Sequence, residues 1–235
     1  MEHEEYILYS RLPVFPKIVR RAHEIIKTAL THAKKPYLAL SGGKDSTVVL
    51  DLIRQYRPDI ECVWSDDEWW LPETKEYIDR LKKQGVQIHQ VQSKARHTDF
   101  FTAHEKDGVN FDKWISEQGY DMVFLGLRAE ESNARRITLR KGGLMYRTKA
   151  GVWHVSPIGW WTVRDVWAYI YSRDIDYNKA YDKLGQMGVS REEQRIGPLA
   201  VDRVLGFGQM VILKRGWPDL YRRFAEKYPE AGLYT

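Results

Sequence analysis

Apolar positions along residues 16–34 recur at the spacing of a helix. They fall at Ile18, Val19, Ala22, Ile25, Ile26, Ala29 and Leu30, and Lys and Arg occupy positions between them. Side chains three and four residues apart share one face of a helix. The pattern therefore predicts an amphipathic helix ahead of the first strand.

Short apolar runs and helical patterns alternate along the rest of the chain. The runs at residues 37–40, 60–64, 86–91 and 121–125 predict strands, and helices are predicted at residues 46–56, 71–84, 111–118, 162–171 and 217–227. Strands that alternate with helices form a parallel sheet. We therefore predict an α/β fold, with a doubly wound, mostly parallel sheet, helices on both faces and a small, mainly helical C-terminal region.

The first predicted strand runs directly into a glycine turn and then a helix. The turn is Ser41, Gly42 and Gly43, and Ser46 and Thr47 open the helix. Glycines let backbone amides approach a ligand closely, and the unpaired N–H groups of a helix N-terminus favour anions. Lys44 adds a positive charge for phosphate oxygens. The segment predicts a phosphate-binding loop, and the alternative is an ordinary Gly-Gly turn.

Charged residues after the predicted strands extend this site. Asp45 would repel a bound anion unless a divalent cation lay between them, which suggests Mg²⁺. Asp66 is predicted to bind magnesium-bound phosphate or a ribose hydroxyl, and its alternative role is to cap the helix that starts at residue 71. Asp67 is a weaker candidate. Arg128 is predicted to contact phosphate or a second substrate, and its alternative is a solvated surface arginine. Ligands of such sheets lie at the carboxyl edge of the strands, where all these segments begin.

A basic stretch follows the fourth predicted strand. Residues 128–149 contain many arginines and the pair Gly142-Gly143, which predicts an irregular arm or hairpin. Arg135 and Arg136 are candidate contacts to a second substrate, although basic runs are usually solvated. Four aromatic side chains in or near the stretch could stack on bases, and they are Tyr146, Trp153, Trp160 and Trp161.

Composition restricts the classes of function. The 235 residues carry a formal net charge of +5, which suits an anionic ligand or nucleic acid. Cys62 is the only cysteine, so neither a disulfide framework nor an iron–sulfur cluster can form within one chain. No apolar run reaches the length of a membrane span, and the acidic start is unlike a signal peptide. We expect a cytoplasmic protein without membrane contact.

The phosphate loop, residues 41–46, resembles the signature of the adenine nucleotide α-hydrolase superfamily, which includes PP-loop ATP pyrophosphatases and phosphoadenylyl-sulfate (PAPS) reductases. Three more segments are similar to the PAPS reductase-like branch, in the same order. They are Ser65-Asp66-Asp67-Glu68 with Pro72-Glu73-Thr74, then Gly126-Leu127-Arg128 with Glu131-Ser132 and Arg135, and finally Pro157-Ile158 with Trp161-Thr162 and Asp165-Val166-Trp167. The resemblance implies an adenine nucleotide site built from Ser41, Gly42, Gly43, Lys44, Asp45, Ser46, Asp66, Gly126 and Arg128.

The chain departs from this family at its cysteines. Thiol-dependent reductases of the family carry a C-terminal cysteine, and many relatives place cluster-binding cysteines after an Arg-x-Gly segment. Here that region reads Gln194-Arg195-Ile196-Gly197-Pro198-Leu199, and residues 230–235 hold no cysteine. Reduction by the family's usual route therefore has no nucleophile in this sequence.

The favoured hypothesis is an ATP-dependent transferase that cleaves the α–β phosphate bond and releases pyrophosphate. Lys44, Asp45 and Arg128 would be catalytic, with Mg²⁺ at Asp45 or Asp66. The acceptor would belong to sulfur transfer or nucleic-acid modification, with partner proteins of such a pathway. One alternative is a PAPS reductase or other sulfonucleotide-handling enzyme that uses Cys62 or a partner's thiol. Another is a non-catalytic, nucleotide-dependent module that binds nucleic acid.

Two parts of the chain are predicted. Residues 1–172 form a nucleotide-binding α/β domain, which includes the N-terminal helix and a basic arm at 128–154. Residues 173–235 form a helical C-terminal extension of the same domain.

Overall fold

The computed structural model describes residues 2–66, 69–92, 111–197, 199, 207–229 and 231. Its strands are β1 (Pro36–Ala39), β2 (Glu61–Asp66), β3 (Ile88–Gln92), β4 (Met122–Phe124), β5 (Met145–Arg147) and β6 (Trp153–Val155). Its α-helices are α1 (Glu2–Ser10), α2 (Val14–His32), α3 (Lys44–Arg54), α4 (Pro72–Lys83), α5 (Phe111–Glu117), α6 (Asn133–Gly142), α7 (Val163–Ser172), α8 (Ala180–Gln186), α9 (Phe207–Gly216) and α10 (Pro218–Lys227). A single 3-10 turn, Ala129–Glu131, precedes α6.

The strands form one sheet in the order β3-β2-β1-β4-β6-β5. Neighbouring strands are parallel except for β5 and β6, which form an antiparallel hairpin at the edge. The chain moves outward from β1 to β3 and then returns to place β4 on the other side of β1. The order of the strands therefore reverses between β1 and β4, where ligands of such sheets bind.

Alternate residues of the central strands face opposite sides of the sheet. Leu38 lies opposite Cys62 and Phe124, and all three belong to the large core that also contains residues of α2, α3 and α7. Tyr37, by contrast, belongs to a smaller apolar cluster with Val63, Val123 and residues of α5. Helices therefore cover both faces, which confirms the predicted α/β architecture.

The N-terminal helix α1, which no pattern predicted, is tied to α7. A reciprocal capping box begins α7, because Thr162 Oγ1 accepts from the Asp165 amide at 3.2 Å and Asp165 Oδ2 accepts from the Thr162 amide at 2.7 Å. The other carboxylate oxygen of Asp165 accepts a hydrogen bond from Tyr9 of α1 at 2.7 Å. Burial, together with this bond, raises the pKa of Tyr9 to about 12.

The C-terminal helices have an apolar cluster of their own. Residues of α8, α9 and α10 pack around Trp69, and the indole N–H of Trp217 donates to Glu73 of α4 at 2.7 Å. A mainly helical C-terminal region is thus present, and the proposed division at residue 172 stays a prediction. No helix in the described part of the chain is both long and apolar enough to cross a bilayer.

The basic stretch is more regular than predicted. An irregular arm or hairpin was expected over residues 128–149. The start of the β5–β6 hairpin does lie there, but most of these residues form the 3-10 turn and α6. Ser132 caps α6 by accepting from the Arg135 amide at 3.2 Å. Gly143, with φ of 75°, ends the helix and lets the chain turn back. The glycine pair is therefore a helix stop, and the residues before it are helical.

Candidate functional site

A cleft of about 330 Å³ opens where the strand order reverses. Its walls come from the turn after β1, the loop after β4 and a C-terminal segment. The lining side chains and backbone include Ser41, Gly43, Lys44, Asp45, Ser46, Trp70, Gly126, Glu131, Arg135, Tyr181, Arg195 and Ile196. Loops that follow the neighbouring parallel strands β1 and β4 meet here, at the carboxyl edge of the sheet where the predicted site segments begin.

Two glycines allow the loops to fit together. Gly42 has φ of 70°, and a Cβ there would lie 3.0 Å from Thr74 Cγ2. The Gly42 carbonyl accepts from the Asn178 side-chain amide at 3.2 Å, which fixes the turn from below. Gly126 is closer still, since a Cβ would lie 2.7 Å from the Ser46 amide nitrogen. The loop after β4 therefore approaches the start of α3 at a distance that only glycine permits.

Side chains within the turn hold the start of α3. Ser41 Oγ accepts from the Gly43 amide at 3.3 Å and lies 3.1 Å from Ser46 Oγ. The hydroxyls of Ser46 and Thr47 both donate to the Gly43 carbonyl at 3.0 Å. The first amides of α3 have no intrahelical acceptors, as at any helix N-terminus, and that of Lys44 donates to the Tyr181 hydroxyl instead. Such amides beside a cleft make an anion site.

Lys44 is buried beneath the cleft, with 1% of its surface exposed. Its backbone amide donates to the Tyr181 hydroxyl at 3.0 Å, and its ammonium donates to the Gln194 carbonyl at 3.3 Å. The ammonium also lies 3.3 Å from Asp45 Oδ2. Burial lowers the pKa of Lys44 from its ordinary value, while the attraction of Asp45 opposes this effect. A bound phosphate would add a second anion to this ammonium.

Arg128 is fully buried and is not part of the cleft lining. Its Nε donates to Asp45 Oδ1 at 2.5 Å, and its Nη1 donates to Glu130 Oε2 at 2.5 Å. Burial alone would lower the pKa of Arg128, but Asp45 and Glu130 outweigh it and raise the pKa above its ordinary value. Arg128 therefore supports Asp45 from behind, and its Nη2 is buried without a hydrogen-bond partner among the described residues. Its contact with phosphate or a second substrate stays a prediction.

This arrangement removes the reason for expecting magnesium at Asp45. The carboxylate lies between the cations of Lys44 and Arg128, so its charge is already balanced. No group of three or more His, Cys, Asp or Glu residues suited to a metal occurs in the described ranges. The donor set does not fit a resident Mg²⁺, and any magnesium would enter as part of the nucleotide substrate.

Asp66 ends β2 but does not line the cleft. It is 8% exposed, and its Oδ2 accepts from the Gln90 side chain at 2.6 Å. Its Oδ1 is buried without a hydrogen-bond partner among the described residues. The metal or ribose contact of Asp66 stays a prediction, and Asp67 lies outside the described residues.

The two predicted second-substrate arginines separate in space. Arg135 lines the cleft and is paired with Glu131. Glu131 also accepts from the Arg128 backbone amide at 2.9 Å, so its carboxylate joins the Arg135 guanidinium to the start of the 3-10 turn. Arg136 is exposed on α6 outside the cleft.

Several residues of the cleft had no role predicted from sequence, among them Trp70, Tyr181, Arg195 and Ile196. Tyr181 is buried beside Lys44, and burial raises its pKa. Arg195 and Ile196 belong to the Arg-x-Gly segment. The resemblance of that segment to the family pattern was the one feature of the sequence that could have predicted their place in the cleft. No pattern marked Tyr181, which reaches Lys44 from 137 residues away.

The sequence's only thiol is remote from this chemistry. Cys62 is fully buried in β2, and desolvation raises its pKa to about 12. A nucleophilic cysteine needs an exposed, lowered-pKa environment. The structure therefore argues against the hypothesis that Cys62 reduces a sulfonucleotide.

Comparison with known proteins agrees with this geometry. A family model of the phosphoadenosine phosphosulfate reductase domain matches residues 35–188, well over half of the chain. A phosphoadenosine 5'-phosphosulfate reductase of Xanthomonas axonopodis pv. citri (strain 306) is 28% identical over 186 residues, which cover 69% of this chain and 73% of that protein. An adenosine 5'-phosphosulfate reductase of Staphylococcus epidermidis is 27% identical and covers 69% of this chain and 72% of that protein.

Solved structures share the fold. The phosphate complex of a Candida auris PAPS reductase matches 75% of this chain and 87% of that chain, with a TM-score of 0.55 and 18% identity. The FMN adenylyltransferase of Candida glabrata in complex with ATP matches 77% of this chain and 64% of that chain, with a TM-score of 0.57 and 12% identity. The sequence match, the sheet order and the glycine loop agree, and the chain belongs to the phosphoadenosine phosphosulfate reductase domain family.

Proposed function

We propose that the cleft binds an adenosine nucleotide and that the chain transfers its adenylyl group from ATP to an acceptor. The observation that carries the proposal is the start of α3, where Lys44 and the amides of the first turn meet beside the cleft, while the only thiol is buried elsewhere. Membership of the family supports nucleotide binding. The position of Cys62 favours phosphate chemistry over sulfur reduction.

In this reaction an acceptor oxygen or sulfur forms a bond to the α-phosphorus. The bond from that phosphorus to the bridging oxygen of the β-phosphate breaks, pyrophosphate leaves with the electron pair, and the acceptor's proton goes to solvent. Negative charge develops on the departing phosphates, where Lys44 and the backbone amides would stabilise it. Arg195 and Arg135 line the same cleft and would bind the outer phosphates or an anionic acceptor.

The buried cluster has a positioning role in this proposal. Tyr181 holds the Lys44 amide, and Asp45 holds the Lys44 ammonium. Arg128 fixes Asp45 in turn, without reaching the cleft. Because misplacement by about 1 Å can cost a hundredfold in rate, such supports matter for catalysis even without substrate contact.

Pyrophosphate release from MgATP, measured with candidate acceptors, tests the reaction. We expect acceptor-dependent release that Lys44→Met abolishes, and Lys75→Met on the exposed side of α4 serves as the matched control. Release no faster than in Lys44→Met for every acceptor would contradict adenylyl transfer.

Sulfonucleotide handling is the second candidate, because both sequence relatives named above are sulfonucleotide reductases. The same cleft would hold the nucleotide, and a thiolate from another protein would attack the sulfonyl sulfur. The bond from that sulfur to the 5'-phosphate oxygen would break and the nucleotide would leave with the electron pair. A second thiol of the other protein would then attack the thiolate's sulfur, release sulfite and complete a disulfide in that protein. Thioredoxin-dependent sulfite release from PAPS or APS, retained in Cys62→Ala, would support this candidate and exclude adenylyl transfer as the main activity. Its loss in Cys62→Ala would contradict the structural placement of the thiol. Nucleotide binding without either product would leave the non-catalytic alternative.

A further inference from the structure

The positive charge of the chain is concentrated in one stretch. The sequence has 37 Lys and Arg against 32 Asp and Glu. Residues 132–160, here called the basic segment, contain six of those cations and no acid. The remainder of the chain therefore holds 31 cations against 32 acids, which is close to balance. The whole excess of positive charge comes from the basic segment.

The fold exposes most of these cations. Arg136, Arg140 and Lys141 lie on exposed positions of α6, and Arg147 and Lys149 are exposed on the hairpin. Within the described ranges none of these five has an ion pair with an acid, whereas Arg135 is paired with Glu131. Unpaired cations along α6 and the hairpin produce a local positive field that attracts polyanions.

The basic segment is continuous with the cleft. Arg135, one turn into α6, lines the cleft, and Arg140 and Lys141 follow toward the end of the same helix. Two apolar side chains are also exposed here, Ile137 at 52% and Trp160 at 48%. Trp160 follows Gly159, whose carbonyl accepts from the Ala129 amide at 2.8 Å at the start of the 3-10 turn. An indole therefore lies open beside the helix that leads to the cleft.

We propose that the basic segment binds a single strand of nucleic acid and directs it to the cleft, so that the acceptor is a nucleotide of that strand. This inference rests on the proposed function. The cations would contact backbone phosphates, and Trp160 would stack on an unpaired base. A small acceptor would need the cleft alone and would leave these exposed groups without a role.

Three of the four expected stacking side chains are engaged within the protein. Trp161 is buried in the core at 4% exposure, and Trp153 stacks on His32 of α2 with ring centroids 5.9 Å apart. Tyr146 packs against Gly142 at the end of α6. An anionic membrane is a poorer fit than nucleic acid, because Ile137 is the one large apolar residue exposed on α6 and an interfacial helix needs a broad apolar face.

The test is equilibrium binding of fluorescent DNA and RNA oligonucleotides of about 16 residues, single-stranded and duplex, over a range of salt. The variant Arg140→Gln/Lys141→Gln removes two exposed cations from the basic segment. Its matched control is Arg20→Gln/Arg21→Gln, two adjacent exposed arginines on α2. Trp160→Ala removes the stacking surface. ATP titration of the same samples reports the cleft separately.

We expect single strands to bind in preference to duplexes. The Arg140/Lys141 variant should lower the slope of log affinity against log salt by about 1.4 and weaken binding at least about fivefold. Trp160→Ala should weaken binding about fivefold or more. The α2 control should match the wild type.

Several results would overturn the inference. One is the absence of oligonucleotide binding at about 50 mM salt. Another is an equal loss of oligonucleotide affinity in the two double variants. A third is displacement of the bound oligonucleotide by polyglutamate or phosphatidylserine vesicles as effectively as by unlabelled oligonucleotide. If ATP still binds in those cases, the proposed function stands and only the nucleic-acid acceptor is lost. If oligonucleotides bind but ATP does not, the proposed function fails while the surface assignment remains.

Discussion

Arg128 Nε donates to Asp45 Oδ1 at 2.5 Å, which joins the loop after β4 to the first turn of α3. Asp45 in turn contacts the Lys44 ammonium. The arginine is fully buried, so its charge is balanced by protein carboxylates and not by solvent. Arg128 is thus a structural support of the turn before α3, and its predicted contact with a substrate stays a prediction.

Replacing Arg128 should therefore destabilise the fold. Arg128→Met leaves Asp45 with Lys44 as its only cation, and breaking a buried ion pair costs about 3–5 kcal/mol. We expect urea unfolding to show a loss of roughly 3 kcal/mol, whereas Arg136→Met, on the exposed face of α6, should change stability by less than about 0.5 kcal/mol. Equal effects of the two substitutions would contradict the assigned support role.

Gly126→Ala should disturb the junction between the two loops. The new Cβ would lie 2.7 Å from the Ser46 nitrogen and 2.8 Å from the Asp45 carbonyl carbon, and both contacts are with backbone. Backbone cannot yield as a side-chain end does, so we expect a loss of about 1–3 kcal/mol in urea unfolding, with weaker nucleotide binding.

Gly197→Ala is the matched control for stability. Among the residues that the structure describes, nothing lies within 4 Å of a Cβ at Gly197, so the free energy of unfolding of Gly197→Ala should stay near the wild-type value. A Gly126→Ala protein as stable as this control would show that the loops are not in contact.

Much of the fold follows from local pattern. The predicted and observed strands agree within two residues or so, because the apolar runs at Tyr37 and Cys62 are buried on both faces of a parallel sheet. The glycine pair before α3 likewise predicts the turn after β1 from neighbouring residues alone. By contrast, Gly142-Gly143 suggested an irregular arm, although the residues before it are mostly good helix formers with a serine cap.

The rest depends on contacts between distant residues. Arg128 and Asp45 are 83 residues apart, and Lys44 and Tyr181 are 137 apart. No periodicity or spacing encodes which arginine will find a carboxylate after folding. Local sequence therefore predicts the turn between β1 and α3. The contact by which Arg128 supports Asp45, and the place of Tyr181 in the cleft, required the structure.

Cys62 should be unreactive in the native protein. Its pKa of about 12 keeps the thiol protonated at neutral pH, and its burial excludes reagents. We expect an aromatic disulfide reagent at about pH 8 to modify none of it in buffer and all of it in denaturant. Rapid modification of the folded protein would reopen a role for Cys62 in reduction.

His23 should make stability depend on pH. Burial lowers its pKa, and the nearby cations of Arg173 and Lys27 add to this effect, while Asp51 opposes it. Because the folded state favours the neutral ring, His23 contributes to the free energy of unfolding above its unfolded pKa of about 6.5. This contribution is lost as the pH falls from there through the lower pKa of the folded state.

We expect NMR titration of His23 to give a midpoint below about 6.5. His23→Gln should lose less free energy of unfolding than the wild type between about pH 7.5 and 5.5. A midpoint above the ordinary value, or equal losses in both proteins, would contradict the burial of this ring.

Calorimetric titration with MgATP tests the central claim most directly, since it asks whether the cleft at the start of α3 binds an adenosine nucleotide. Loss of a charge-assisted contact costs about 1.5–3 kcal/mol, so Lys44→Met should weaken ATP binding at least about tenfold. The wild type and Lys75→Met should bind one equivalent with the same affinity. No heat of binding in the wild type, or equal affinity in Lys44→Met, would contradict the account.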